Sequence, residues 1–376
     1  MITNDTYERY QRQLILKGFG ETGQQKLLAA KVLVVGAGGL GCPALQYLAA
    51  AGIGNIGIVD DDVVALSNLH RQVLFSTNDI GLSKAIKATE VLHLLNPCIQ
   101  VTAHNERLTP YNALDIIREY DIVIDGTDNF ASRYLINDAC VLLNKTLVYG
   151  AVSQFEGQVA VFNSNANNGA KAANYRDLFP APPKDSEVLN CAEAGVLGVL
   201  PGIIGTMQAS ETIKLITGIG TPLVNSLLTY NALTNQVYTI LLHANKETSM
   251  LIPADEEAFR NTNYEWLCGA DTSQQEIDAA AFDEIIAAGN ADIIDVREYD
   301  EAPMINDFPH SKIPLSQLKN NIPSLQKDRA IVFCQSGKRS LQAAQLLSAA
   351  NENKKIYSLK GGILNWIKSQ QAIQIL

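Results

Sequence analysis

The chain has 376 residues, 47% of them hydrophobic and 18% charged, the make-up of a soluble globular protein of two or three domains. Its formal net charge of −10 argues against a nucleic-acid binder, which carries a basic surplus, and its apolar runs are too broken to span a bilayer. Six cysteines stand singly at 42, 98, 140, 191, 268 and 334, and the N-terminus has no basic segment leading into an apolar core, so reduced thiols, no signal peptide and a cytoplasmic setting are expected.

Residues 1–30 are polar and then helical in pattern. Lys31–Val35 (KVLVV) predicts a strand that stops at glycines, 40–51 a helix, and Asn55–Asp60 (NIGIVD) a second strand closed by a carboxylate. A helix over 83–95, a strand over 99–105, a helix over 110–118, a strand over 121–126, a helix after Asn129 and a strand over 146–152 continue the alternation. This order predicts βαβ units in an α/β fold, a Rossmann-like doubly wound parallel sheet wrapped by helices. Residues 153–165 change character: QFEGQVAVFN suggests an antiparallel strand pair, with more strand pattern over 226–242, an antiparallel extension. Residues 163–190, rich in Asn, Ala and Pro, read as a mobile loop without a packed element, and 194–217 as a helix despite its glycines. From 276 the pattern restarts: a helix (EIDAAAFDEIIAAG), a strand (ADIIDVR), a strand into a loop (AIVFCQSG), a helix (RSLQAAQLLSAA), then KIYSLKGG and ILNWIKSQ as strand and helix. The expected division is 1–245 for a large domain, 246–275 for a linker and 276–376 for a smaller α/β domain.

Gly36-Ala-Gly38-Gly39-Leu-Gly41 fits G-x-G-x-x-G between a strand and a helix. Bare glycines let the backbone approach phosphates, and the helix N-terminus adds partial positive charge. Asp60 ends the next strand, where a carboxylate can accept from ribose hydroxyls. The fingerprint alone favours NAD. Ser67-Asn68-Leu-His-Arg71-Gln72, Lys84 after Gly81, and Asp125-Gly-Thr-Asp128-Asn129 at a strand's C-terminal end favour ATP. Two cations offset charge building on a pyrophosphate leaving group, and one or two carboxylates hold a hydrated Mg2+.

Arg9-Tyr-x-Arg12-Gln, the G-x-G-G-L-G turn, the D-D-D run followed by S-N-L-x-R-Q, G-L-S-K and D-G-T-D-N occur in this order. Together, over residues 5–242, they resemble the MoeB/ThiF/HesA family, bacterial relatives of ubiquitin-activating enzymes. The resemblance implies binding of Mg-ATP and of the C-terminal Gly-Gly of a ubiquitin-like sulfur carrier. The carrier's carboxylate attacks the α-phosphate, giving an acyl-adenylate and pyrophosphate. Gly36, Gly38, Gly39 and Gly41 would then face the nucleotide and Asp60 the ribose. Asn68, Arg71 and Lys84 would contact phosphates, and Asp128 would hold Mg2+ with Asn129 beside it. Arg12 resembles the arginine that reaches into a partner subunit's site, which implies a homodimer. Cys191, in LNCAEAGV, matches an element whose cysteine forms a covalent link to the carrier in some members and none in others; both readings stand.

The sequence departs from the family at zinc. Most members hold a structural zinc with two C-x-x-C pairs. The positions here are Asn174-Tyr-Arg-Asp177 and Glu265-Trp-Leu-Cys268, leaving one thiolate of four. A tetrahedral site wants four good N or S ligands, so no zinc is expected, and apolar packing should hold that region.

Cys334-Gln-Ser-Gly-Lys-Arg-Ser340 lies between a strand and a helix. Loop amides, the helix start and the charges of Lys338 and Arg339 suit a thiolate or persulfide. With Asp295-Val-Arg297-Glu298-Tyr-x-Glu301 and Gly361-Gly362-Ile-x-x-Trp366, residues 277–370 resemble a rhodanese domain, which implies a persulfide on Cys334 and a cysteine desulfurase as candidate sulfur donor. NDFPHSKIP (306–314) replaces the usual G-H-I-P-G-A stretch. A persulfide could displace AMP from an acyl-adenylate, and one chain carrying both raises the effective concentration of the second step. The expected function is adenylylation of a MoaD-type carrier for molybdopterin synthesis, with sulfur transfer as a second activity. The alternatives are a ThiS-type carrier for thiamine, a non-catalytic nucleotide-binding scaffold, and an NAD-dependent oxidoreductase.

Overall fold

The computed structural model of the chain describes residues 4–164, 172–182, 195–264, 276–318, 322–351 and 354–373. It divides into two compact units, Met1–Gly269 and Ala270–Leu376.

In the first unit, β1 (Lys31–Val35), β2 (Asn55–Val59), β3 (Gln100–His104), β4 (Ile122–Asp125), β5 (Thr146–Ser153), β6 (Glu156–Phe162), β7 (Ser226–Asn231) and β8 (Gln236–Leu241) form one sheet in the order β3-β2-β1-β4-β5-β6-β7-β8. The first five of that order run parallel and β6 to β8 add antiparallel. VLVV of β1 and IVI of β4 are continuous apolar runs because helices cover both faces of the parallel part. Val32, Val34, Ile56 and Ile124 pack on one face against the helices Gly41–Ala51 and Lys84–Leu95. Leu33, Val35 and Val123 pack on the other with the helix Phe130–Leu142.

The long helix runs Val199–Thr217, starting later than its sequence suggests. Its Gly205 allows close approach to the neighbouring helix: a Cβ there would lie 2.1 Å from the Leu40 carbonyl oxygen. Residues 163–190 are not wholly loop. Tyr175–Leu178 form a helical turn with Tyr175 and Arg176 buried, while 165–171 and 183–190 lie outside the described residues. The segment read as linker begins with two short helices, Lys246–Ser249 and Glu256–Arg260, and puts Phe259 and Tyr264 into the first unit's core. Apolar packing is present where zinc was not expected, as a cluster of Tyr134, Tyr149, Phe162 and Tyr175, but it surrounds a buried polar network.

The second unit holds a parallel sheet of β9 (Glu276–Ile277), β10 (Asp292–Asp295), β11 (Ser311–Lys312), β12 (Arg329–Phe333) and β13 (Lys355–Leu359), in the order β11-β10-β12-β13-β9. The first helix starts at Ala279, not 276. Asp278 caps it, its Oδ1 accepting from the Ala281 N–H at 2.9 Å, and the two residues before the cap pair with β13. Phe308, from the unusual 306–314 stretch, packs edge-on against Phe282, Phe333 and Trp366. That ring fills core volume, and Ser311–Lys312 just beyond it still make β11. No helix among the described residues is long and apolar enough to cross a membrane.

Candidate active site

β1, β2 and β4 end level, because Val35 is in register with Val59 on one side and Asp125 on the other. The loops after them share one rim, at the point where the strand order reverses. They line a cavity of about 690 Å3 that contains Gly36, Gly38 and Gly39, Asp60, Arg71, Lys84, Asp128 and Asn129.

The glycines divide by task. Gly36 has φ 96°, and a Cβ there would lie 2.8 Å from the Gly126 carbonyl oxygen. A Cβ at Gly41 would meet the Gly36 carbonyl oxygen at 1.8 Å. These two let the turn close on itself. Gly38 faces open space, with only Gln72 Nε2 at 3.8 Å, and Gly39 lies against Pro201.

Asp60 steadies the turn: Oδ2 accepts from the Ala37 N–H at 2.8 Å and Oδ1 from the Asp62 N–H at 2.9 Å. Each oxygen keeps a lone pair for a ligand hydroxyl. Burial pushes its carboxyl above the usual range, while Lys84 and the two amides pull the other way. Lys84 is 5% exposed, and its Nζ sits 2.8 Å from Asp62 Oδ2, an oxygen of a largely exposed side chain. Arg71 Nη1 donates to the Ser67 carbonyl at 3.0 Å and lies 2.8 Å from His70 Nε2. Asn68 accepts from the Ala65 N–H at 3.0 Å and fixes the short 3-10 turn Leu66–Asn68 from which Arg71 extends.

Asp125 is buried and spent locally, accepting from the Thr127 N–H at 2.9 Å and the Thr127 hydroxyl at 2.6 Å. Burial raises its carboxyl, and the Arg133 charge offsets this most. It orients the D-G-T-D-N loop so that Asp128 stands exposed on the cavity wall. Asn129 lines the same wall and caps the helix Phe130–Leu142 by accepting from the Ser132 N–H at 2.9 Å.

Arg12 is exposed and lines a separate cleft with Tyr47 and Ile213, away from the cavity of its own chain. Cys191 lies outside the described residues. Gln72 was not assigned from sequence although it closes the S-N-L-H-R-Q run. It is 3% exposed, lines the cavity, and its Oε1 has no hydrogen-bond partner. A buried amide facing a cavity costs stability until a ligand meets it. Cys42 and Cys140 are buried, and burial pushes both thiols up, Cys42 to about 12.

In the second unit Cys334 directly follows β12, fully buried, its Sγ accepting from the Gly337 N–H at 3.2 Å. Ser340 Oγ lies 3.5 Å from the same sulfur and 2.9 Å from Ser358 Oγ. Gly361 and Gly362 seat the loop: a Cβ at Gly362 would lie 2.6 Å from the Cys334 carbonyl oxygen. Arg339 does not stand free beside the sulfur. Glu301 binds it through both guanidinium nitrogens at 2.5 and 2.6 Å, and that contact pulls the Glu301 carboxyl down to about 2. Asp295 and Arg297 form a buried pair at 2.7 Å, with Arg297 also donating to the Pro303 carbonyl at 2.8 Å.

The chain matches the ThiF family over residues 10–251 and the rhodanese-like domain over 278–369. The probable adenylyltransferase/sulfurtransferase MoeZ of Mycobacterium tuberculosis is 40% identical over 386 aligned positions, covering 100% of this chain and 96% of that protein. The sulfur carrier protein adenylyltransferase of Thermus thermophilus is 49% identical over 268 positions, covering 71% and 98%. The probable molybdopterin-synthase adenylyltransferase of Porphyra purpurea is 40% identical, covering 96% and 93%. Among solved structures, Escherichia coli MccB superposes with a TM-score of 0.55 at 23% identity, over 65% of this chain and 74% of that one, a likeness of fold.

Proposed function

The chain belongs to the ThiF family and carries a C-terminal rhodanese-like domain, and from that premise we propose that it adenylylates the C-terminal glycine of a ubiquitin-like sulfur carrier with ATP. The observation that carries this reading is the convergence of the glycine turn, Asp60, Arg71, Lys84 and Asp128 on one cavity at the strand-order reversal. An NAD site needs the turn and the carboxylate but neither cation.

The amides around Gly38 and Gly39 take the phosphates, and Asp60 takes the ribose hydroxyls with its remaining lone pairs. Asn68 positions Arg71, and Arg71 and Lys84 offset the charge that grows on the pyrophosphate as the Pα–O bond breaks. The carrier's carboxylate oxygen forms the new bond to the α-phosphorus. Asp128, with Asn129 beside it, would hold Mg2+, which would supply neutralisation of phosphate charge. Gln72 gives its unmet amide oxygen to a donor on the bound reactants. Arg12 serves the cavity of a partner subunit in a homodimer, and the protein works in the cytoplasm.

The second activity is sulfur transfer. Cys334 carries a persulfide received from a cysteine desulfurase, its charge steadied by the Gly337 amide and the Ser340 hydroxyl. The terminal sulfur attacks the acyl carbon and AMP leaves, giving an acyl disulfide on Cys334; an external thiol then attacks Cys334 Sγ, forming a mixed disulfide with it and freeing the thiocarboxylate, and a second external thiol reduces that disulfide to restore Cys334. The Porphyra purpurea relative is named for molybdopterin synthase, which favours a MoaD-type carrier over a thiamine-type one. Carrier-dependent exchange of radiolabelled pyrophosphate into ATP tests the adenylylation. Asp128→Ala is expected to abolish the exchange, and near-normal exchange in that variant would sink the assignment.

A further inference from the structure

The family's zinc would sit on positions 174, 177, 265 and 268. Glu265 and Cys268 lie outside the described residues, but the first two positions are well defined. Asp177 Oδ2 accepts from the Asn174 N–H and from Asn174 Nδ2, both at 2.8 Å. Its Oδ1 accepts from the Asn245 N–H at 2.9 Å and from the Thr248 hydroxyl. A carboxylate offers about four acceptor sites, and here all four are taken. Asn174 Oδ1 is also used twice, by the Arg176 N–H at 2.9 Å and Asn137 Nδ2 at 3.4 Å. At these two positions the side-chain oxygens have no lone pairs left for a metal.

A second saturated carboxylate lies behind the first. Asp138 is fully buried. Its Oδ1 accepts from Arg176 Nε at 2.8 Å and Asn137 Nδ2 at 3.1 Å, and its Oδ2 from Arg176 Nη2 at 2.6 Å and Tyr264 Oη at 3.0 Å. The Arg176 guanidinium lies 4.9 Å from the Tyr134 ring centroid. These contacts join the helix Phe130–Leu142, the 174–178 turn, residues 245–249 and Tyr264. A zinc on positions 174, 177, 265 and 268 would tie the same 174–178 turn to the chain that follows Tyr264.

We infer that this corner of the first unit is closed by two hydrogen-bond-saturated carboxylates, Asp138 and Asp177, in place of a structural zinc, and that the unit folds without metal. A buried charge is tolerated when it is paired and fully hydrogen-bonded; Asp138 meets that condition through Arg176, and Asp177 is half-buried with four hydrogen bonds and needs no counter-ion. The network is a substitute for the metal rather than an incomplete version of its site.

The test uses the full chain, produced with zinc supplied. Elemental analysis is expected to find far less than one zinc per chain, and a strong zinc chelator to leave the melting temperature unchanged. One retained zinc per chain, or a fall in melting temperature on chelation, overturns the inference. Asp138→Asn is expected to lower the melting temperature by roughly 10 °C or to prevent folding. Thr248→Val removes one bond to Asp177 and should lower it by about 2–4 °C. An unchanged melting temperature in Thr248→Val overturns the role given to Asp177.

Discussion

Gly38 and Gly41 lie one helical turn apart and meet opposite constraints. A Cβ at Gly41 collides with the Gly36 carbonyl oxygen at 1.8 Å, whereas a Cβ at Gly38 finds only Gln72 Nε2 at 3.8 Å. Gly41→Ala must therefore push backbone apart, an overpacking cost of about 1–3 kcal/mol or more. Gly38→Ala strains nothing in the protein and narrows the space for phosphate. Thermal melting and ATP titration separate the two: Gly41→Ala is expected to lower the melting temperature, and Gly38→Ala to keep it and raise the KM for ATP about tenfold or more. A loss of stability in Gly38→Ala without a change in KM would refute the division. At this scale the sequence is informative about residue type and weak about partners. The G-x-G-x-x-G spacing marks Gly36, Gly38 and Gly41, but whether a glycine serves the chain or the ligand depends on what lies opposite. Gln72 shows the same limit. Its neighbours mark the motif, yet only burial and an unmet oxygen single it out.

The helix Lys84–Leu95 carries a conflict that points to function. Lys84 is its first residue, and a cation at a helix N-terminus opposes the dipole by about 0.3–1 kcal/mol. Its side chain is also almost wholly buried, with one carboxylate partner that remains hydrated. Folding alone would not select this placement, and such local conflicts concentrate at functional sites. Lys84→Met keeps the length of the side chain and removes the charge. Its expected outcome is a melting temperature equal to or slightly above that of the parent, with pyrophosphate exchange reduced about 10²–10³-fold. A strongly destabilised variant would mean that the lysine is a structural ion-pair partner. The central strands were readable as short apolar runs bounded by turn signals, VLVV within Lys31–Val35 and IVI within Ile122–Asp125. β9 and β11 were not readable, because two residues carry no period. The helices after residue 245 were missed for a related reason: each is four or five residues long, and what anchors that stretch is two aromatic residues, Phe259 and Tyr264.

At the scale of the molecule, the chain holds two units with separate cores and separate reactive groups. The triphosphate chemistry assigned to the first needs nothing from Cys334. Cys334→Ser is therefore expected to leave carrier-dependent pyrophosphate exchange within about twofold of the parent and to abolish sulfur transfer to the carrier. Exchange that collapsed in this variant would mean that the two activities are obligatorily coupled. The bond network around Asp138 bears on how the first unit is made. Asp138 and Tyr264 are 126 residues apart in the chain, and Arg176 lies between them. As the polypeptide leaves the ribosome, helix Phe130–Leu142 emerges with its Asp138 carboxylate met only by its neighbour Asn137, gains the guanidinium next, and receives the phenol last. All eight strands of the Rossmann-like sheet, the last ending at Leu241, are synthesised before residue 264 supplies the seal. A chain released at residue 245, where the sequence alone would end the domain, would leave the ribosome with that seal missing.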